Sequence, residues 1–350
     1  MIPALRVVKP GLRTTIQDLG RPGYQRFGIS VSGALDPVSL RAANALVGNP
    51  LGTGALEAAY VGPTLAVEAE EVRLAFVGAH ATIEVLPDVS AINGQRMNTL
   101  RSVRLRRGEA VRIGSLSRGA VLYVAVEGGF DITAALGSVS TDTRGRFGGW
   151  QGRALMADDR LPLHNVRVSD RDDYRLAELD VSPPRRLRVL LGPQHDYFPD
   201  DAINTFLGST FAVSTDSDRI GMRLQGPPIV QANEATFTSD GTATGSIQVT
   251  GSGQPIVLLP DRQTTGGYPK IATIISADLP ALGRLSIGSQ IAFELVTLED
   301  ALNLRRELSA VIAGIRDKLE PIPRTNVEIS ARLRVSNLIS GVVDGQNWIG

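Results

Sequence analysis

The sequence predicts a mainly β protein built from two related lobes with few helices. Three observations carry that prediction. Apolar, β-branched runs are short and recur along the chain, at Val72 to Val77, Val121 to Val126, Leu187 to Leu191, Ile256 to Leu259 and Ile291 to Val296. Gly and Pro, 37 and 20 of them, are spread throughout and punctuate those runs, the pattern of many short strands joined by turns in a barrel or sandwich. The two halves also echo each other: Leu5-Arg6-Val7-Val8 resembles Leu187-Arg188-Val189-Leu190, Phe27 to Ser30 resembles Phe211 to Ser214, and Ala120 to Val124 resembles Pro255 to Leu259.

The 350 residues suit two domains at about 150 residues each. Charged residues cluster before Pro183-Pro184, so the expected division is a first lobe over 1–184, a second over 185–297, and a helix with a tail over 298–350.

Helices are predicted at three places. Asp36 reads as an N-cap, followed by Pro37 at the first helical position and Gly48 at the end. Pro199-Asp200-Asp201 opens a shorter helix to about Leu207. The most regular pattern runs from about Leu298 to Leu319, with Leu302, Leu304, Leu308, Ile312 and Ile315 on an apolar stripe and Pro321 and Pro323 as terminators. Beyond it, Val335 to Ile339 reads as an edge strand or a docking segment.

Composition narrows the function classes. Lys+Arg and Asp+Glu both number 36, so there is no bulk attraction to nucleic acid or anionic membranes. There is no cysteine, which excludes disulfides, thiolate nucleophiles and thiolate metal sites. The start of the chain lacks a signal-peptide pattern and no apolar run reaches membrane-spanning length, so a cytoplasmic protein is expected. His80, His164 and His195 show no metal-ligand spacing, and no metal site is expected. No P-loop, dinucleotide fingerprint or nucleophile elbow is present.

Three polar, glycine-containing segments remain as candidate sites. The first runs from Gln17-Asp18-Leu19-Gly20-Arg21 to Asp36; Asp18 reads either as a turn residue bonding backbone amides or, with Arg21, as a charged pair facing a cleft. The second, Ser217 to Leu224, reads as a turn with a surface ion pair at Asp218-Arg219, and alternation turns Arg223 away from Met222 and Leu224. The third combines Ser246 and Gln248 with Asp261, Arg262, Gln263, Thr264, Gly266, Gly267, Tyr268 and Lys270. There the glycines allow close backbone approach to a ligand, and Gln and Thr can fix an amide or carboxylate. Tyr268 and Lys270 can move protons or stabilise an oxyanion. Lys270 stands out because the only other lysines are Lys9 and Lys318.

Together these segments resemble a known family. Thr15 to Gly23, Ser32 to Asp36 and Asn44 to Asn49 look like the opening of the allophanate hydrolase subunit 2 family, also called the biotin-dependent carboxyltransferase family or the C-type 5-oxoprolinase subunit family. Ser217 to Leu224 is similar to its middle, and Gly253 to Leu258 with Asp261 to Ala272 to its most diagnostic block. The resemblance implies two cyclophilin-like β-barrel lobes, a few short helices and a C-terminal helix. It also implies association with a smaller, B-type 5-oxoprolinase protein (allophanate hydrolase subunit 1-like) and with a third, A-type protein.

The activity it implies is ATP-dependent cleavage of 5-oxo-L-proline to L-glutamate, with Mg accompanying ATP. On that reading Arg21, Arg223, Arg262 and Lys270 are candidates to hold a carboxylate or phosphate, Asp18 or Asp261 to orient the amide, and Tyr268 to donate a proton; Gln17 and Asp36 complete the candidate set. Two alternatives stand beside it. One is a carboxyltransferase acting on urea or a similar amide, with biotin carried by a partner chain since no attachment motif occurs here. The other is a non-enzymatic regulator that binds a kinase-inhibitor partner.

Overall fold

The computed structural model describes residues 2–323 apart from 166, 178 and 233–237. The first lobe contains β1 (Ala4–Lys9), β2 (Arg13–Gln17), α1 (Pro37–Leu46), β3 (Ala55–Ala59), β4 (Thr64–Val67), β5 (Glu71–His80) and β6 (Ile83–Leu86). It continues through β7 (Gln95–Met97), β8 (Arg101–Arg106), β9 (Ala110–Ile113), β10 (Ser117–Val126), β11 (Arg160–Pro162) and β12 (Asp173–Leu176). The second lobe contains β13 (Arg186–Leu191), α2 (Asp200–Gly208), β14 (Thr210–Val213), β15 (Gly221–Gln225), β16 (Asp240–Gly241) and β17 (Ser246–Val249). After these come β18 (Pro255–Leu258), β19 (Thr265–Gly266), β20 (Lys270–Ile274), β21 (Gln290–Leu295), α3 (Leu298–Ala313) and β22 (Leu319–Ile322).

In the first lobe two sheets face each other, in the orders β11-β1-β4-β9-β6-β7 and β2-β3-β10-β5-β8-β12-β22. Successive strand residues point to opposite faces. On β5 and β10, Leu74, Phe76, Leu122 and Val124 therefore enter the core between the sheets. Ala75, Val77, Tyr123 and Ala125 point the other way, against Leu40, Ala43 and Leu46 of α1. Both faces are covered, which is why Val121 to Val126 reads as an unbroken apolar run rather than an alternating one.

The second lobe is a closed barrel, β13-β20-β17-β18-β15-β14-β21. Its one parallel pair is β13 with β21, and it leaves no open edge. Met222 and Leu224 are buried while Arg223 is exposed, as alternation requires. Phe206 of α2 stacks on Phe293 of β21, with ring centroids 4.5 Å apart. Thus mainly β architecture in two lobes is observed, the second closed and the first spread over two sheets.

Three sequence expectations change. The echo of Phe27 to Ser30 with Phe211 to Ser214 fails in structure: the former lies in a 3-10 turn and loop, the latter in β14 and just beyond it. The helix from Leu298 ends at Ala313, not Leu319. Gly314 caps it by donating to Ala310 O, and the chain then makes a 3-10 turn before β22. Its apolar stripe is mostly outside the core, since Leu302 is exposed while Ile315 is buried. Pro321 sits within β22, which pairs with β12 as the edge of the first lobe's sheet, a place that tolerates a missing donor. Val335 to Ile339 lies outside the described residues.

Candidate functional site between and beside the lobes

The three polar segments meet where the lobes join. The Ser32 amide donates to the Pro260 carbonyl at 3.1 Å, and Arg219 Nη2 donates to the Gly33 carbonyl at 2.6 Å. Arg219 is buried, not part of a surface ion pair. Its Nε and Nη2 grip Asp261 at 2.8 and 3.1 Å, and its Nη1 pairs with Glu57 from the first lobe. Burial opposes the guanidinium charge, yet Asp261 and Glu57 outweigh it and hold Arg219 above its usual range. A buried cation between two buried carboxylates therefore bolts one lobe to the other.

Residues of the first segment brace that joint. Asp18 accepts from the Gly20 and Val139 amides at 2.7 and 2.8 Å and from the Ser138 and Ser140 hydroxyls at 2.6 Å each. Gln17 is fully buried, donating to Thr141 O at 3.2 Å with its Oε1 left without a partner. Arg21 donates to the Ser140 carbonyl, lies 4.7 Å over the Phe147 ring, and leaves Nη1 unpartnered. Burial lowers its pKa, against the raising influence of Asp18, Asp142 and Asp261. Asp36 caps α1 through the Val38 and Ser39 amides and also pairs with Arg284 Nε at 2.8 Å.

The third segment divides in two. Asp261 turns to Arg219, whereas Arg262, the next residue, turns under a two-stranded ribbon of β16 and β19. Arg262 Nη1 donates to Thr244 Oγ1 at 2.7 Å and Nη2 to the Thr242 carbonyl at 3.2 Å, while Nε has no partner. Among the described residues no carboxylate pairs with it, and burial lowers its pKa. A buried guanidinium with only neutral partners is unfavourable unless an anion joins it.

The ribbon itself is tied to the barrel. The Gln263 and Thr264 carbonyls accept from Thr242, at 2.5 Å from its hydroxyl and 3.0 Å from its amide. A Cβ on Gly266 would lie 2.5 Å from Gln248 Nε2, so a side chain there would have to displace the Gln248 amide. Gln248 in turn donates to the Tyr268 carbonyl at 3.3 Å. Lys270 is buried, with Nζ donating to Asp240 Oδ2 at 2.8 Å and to the Gly241 carbonyl at 3.1 Å. That bond from Lys270, ahead of the Gly241 amide, lowers the Asp240 pKa. Ser246 is buried beside the Ala243 amide at 3.4 Å. Thr265, Gly267 and Tyr268 face solvent.

The structure thus gathers Gln248, Arg262, Gln263, Thr264, Gly266, Gly267, Tyr268 and Lys270 around one ribbon. It places Asp18, Gln17 and Arg21 in the neighbouring joint and Arg223 on the outer barrel surface. Among the described residues no three His, Asp or Glu side chains converge to hold a metal ion.

Sequence reasoning missed Glu57, a lone acid in the apolar run Ala55-Leu56-Glu57-Ala58-Ala59, which such burial would have flagged. It also missed Asp240, the partner of Lys270, and the segment Arg144-Gly145-Arg146-Phe147-Gly148-Gly149-Trp150-Gln151-Gly152-Arg153. The density of Gly and Arg in that last segment was the available signal.

The family described as carboxyltransferase domain, subdomain A and B, matches residues 27–295. The 5-oxoprolinase C subunit of Haemophilus influenzae is 37% identical over 307 residues, covering 87% of this chain and 95% of that protein. Its Escherichia coli namesake is 36% identical over 303 residues, covering 87% and 94%. The crystal structure of the K. lactis urea amidolyase superposes with a TM-score of 0.81 at 27% identity, covering 93% of this chain but 21% of that much longer one. With the family match spanning both lobes and two relatives matched over nearly their whole length, the chain belongs to the carboxyltransferase domain, subdomain A and B, family.

Proposed function

We propose that this chain is the C-type component of a cytoplasmic complex that opens 5-oxo-L-proline to L-glutamate at the expense of ATP. The observation that carries the reading is the 36 to 37% identity to two proteins named as 5-oxoprolinase C subunits, over nearly their whole length. A lactam resists water because its amide is stable. Transfer of the γ-phosphoryl group of ATP to the amide oxygen, releasing ADP, makes that oxygen a leaving group. One water opens the ring and a second accounts for release of inorganic phosphate.

The ribbon site suits the first demand of that chemistry. Arg262 supplies a buried cation for the substrate carboxylate, and Gln263 and Thr264 offer hydrogen bonds to the lactam. Tyr268 stands ready as proton donor, and Lys270, held by Asp240, stabilises charge on the activated amide. Asp18, Arg21, Asp36 and Asp261 act through the scaffold that positions the ribbon. Because Thr265, Gly267 and Tyr268 face solvent, a smaller B-type partner covering them would exclude water, and a third, A-type protein completes the complex.

The test is glutamate release by the purified trio with 5-oxoproline and ATP. Arg262→Met or Lys270→Met in this chain is expected to lower turnover by about 10²- to 10³-fold, as for loss of a charge-stabilising donor. Absence of glutamate from the wild-type trio sinks the proposal. The likeness to the K. lactis urea amidolyase favours a second reading, carboxyl transfer to a small amide from biotin on a partner chain. Dependence of product formation on a biotin carrier, rather than on ATP and 5-oxoproline alone, would select it.

A further inference from the structure

We infer that Gln194 is a positioning residue of the ribbon site: it pins the Asp240 carboxylate on Lys270 and thereby fixes where the lysine charge meets the substrate. The inference rests on the assignment of Lys270 to charge stabilisation in the proposed reaction. Gln194 immediately precedes the 3-10 turn His195–Tyr197 and lies outside the three polar segments. Its side chain nevertheless reaches both members of the pair. Gln194 Oε1 accepts from the Lys270 amide at 3.3 Å, and Gln194 Nε2 donates to Asp240 Oδ2 at 3.1 Å. That same oxygen accepts from Lys270 Nζ at 2.8 Å.

The pair needs such a pin because its members differ in surroundings. The Lys270 side chain is 3% exposed and that of Asp240 53% exposed. Water competes for an exposed carboxylate, so an ion pair with one solvated member holds its geometry poorly. Asp240 is also carried on β16, whose two residues pair only with the two of β19, a ribbon too short to hold itself in place. Gln194 supplies a restraint from the barrel side. One planar amide, with an acceptor at one corner and a donor at the other, spans the backbone of β20 and the carboxylate of β16. The strand that carries the lysine and the counter-ion that holds its ammonium thus keep a fixed separation. Lys270 first, then the Gly241 amide and Gln194, hold the Asp240 carboxyl below its usual range, so it stays ionised against the lysine.

The turn that presents Gln194 is itself seated on Lys270. A Cβ on Gly192 would lie 2.0 Å from the Lys270 carbonyl oxygen, a backbone atom, so any side chain there would lift the turn off β20. The Gly192 amide donates to the Ile271 carbonyl at 2.8 Å. The Gly192 carbonyl in turn accepts from the His195 amide at 3.2 Å and lies 2.8 Å from His195 Nδ1, which closes the turn around Gln194. Backbone contact with Lys270 and side-chain contact with Asp240 therefore come from one braced unit. Loosening that unit shifts the ammonium within the site, and an active-site group misplaced by about 1 Å can lose about 10²-fold in rate.

Kinetics and lysine chemistry test this separately. In the assembled trio, Gln194→Ala is expected to lower kcat by about ten- to a hundred-fold. KM for 5-oxoproline should stay within about two-fold of wild type, because the lost interaction belongs to the transition state rather than to substrate binding. Gln194→Met restores bulk but neither hydrogen bond, and is expected to match Gln194→Ala. Acetylation of the full chain by an N-hydroxysuccinimide ester, read by mass spectrometry, needs no turnover. Besides Lys270 the chain has only Lys9 and Lys318, both exposed, and these serve as internal references. Lys270 should react about ten-fold more slowly than either in wild type, and about ten-fold faster than its own wild-type rate in both variants, with the references unchanged. Unchanged circular dichroism shows that the variants fold. The inference is overturned if Lys270 keeps its wild-type labelling rate in both variants, if all three lysines speed up together, if either variant turns over as wild type does, or if the loss falls on KM alone. Release of Lys270 by Gln194→Ala with no glutamate from the wild-type trio would sink the proposed function and leave Gln194 as the pin of the pair.

Discussion

Tyr123 lies fully buried on β10, its hydroxyl donating to Glu57 and accepting from the Asp36 amide at 2.9 Å. Burial, then the charges of Glu57 and Asp36, push its pKa well above its usual value. The native state therefore keeps a proton that the unfolded chain loses above about pH 10. The resulting stability is fully present below that pH and declines as pH rises beyond it. Tyr123→Phe is expected to remove this alkaline slope. It should also lower stability at pH 7 by about 1–3 kcal/mol, because the Asp36 amide loses its acceptor and Glu57 a donor. Urea unfolding midpoints at pH 7 and 10.5 check this, and an undiminished alkaline slope in the variant would refute it. Tyr123 was not legible in the sequence, because it lies in an apolar run that reads as core, whereas Glu57 was overlooked although a lone acid in such a run is itself a signal. Arg262 and Lys270 stood out in the sequence as cations in a Gly-rich segment, and the structure buries both, Lys270 against Asp240 and the Gly241 carbonyl.

At the scale of elements, α1 was readable almost to the residue because its signals are local: an N-cap Asp, a Pro at the first position and a terminal Gly. What the local pattern concealed is that the same Asp36 carboxylate serves the other lobe through Arg284. Asp36→Ala should destabilise by about 1 kcal/mol for the cap alone, and more through the severed pair. Asp36→Asn keeps Oδ1 for the cap but puts an NH2 donor where Oδ2 accepted from Arg284 and Ser39, so it should recover only the cap's share. Thermal unfolding of the two variants decides this, and equal losses would show that the cap contributes nothing. For α3 the apolar spacing extended the helix past its true end, because Ile315 is buried by the chain turning back toward α1 rather than by continued helix. Periodicity cannot tell those cases apart.

For the molecule as a whole, the Glu57–Arg219–Asp261 triad and the Asp36–Arg284 pair are expected to make the lobes unfold together. Arg219→Ala strands two buried carboxylates and should lower stability by about 3–5 kcal/mol. With Arg284→Ala added, the single unfolding transition should split into two, one per lobe. Calorimetry would show this as two resolved peaks, and one unbroken transition would mean that the lobes are coupled by other contacts.

The mainly β class, the pair of lobes, the bounds of α1 and α2 and the polar block at 261 to 270 could all be read from the amino-acid order alone, because turns, caps and alternation act between near neighbours. The partners of the charges could not. Folding sends Asp261 to the interlobe joint and Arg262 under the ribbon, although the two are adjacent in the chain. Folding also brings Arg219 to Glu57 from 162 residues away. A buried charge takes whichever partner the fold delivers, and no local pattern records a partner supplied by the far end of the chain.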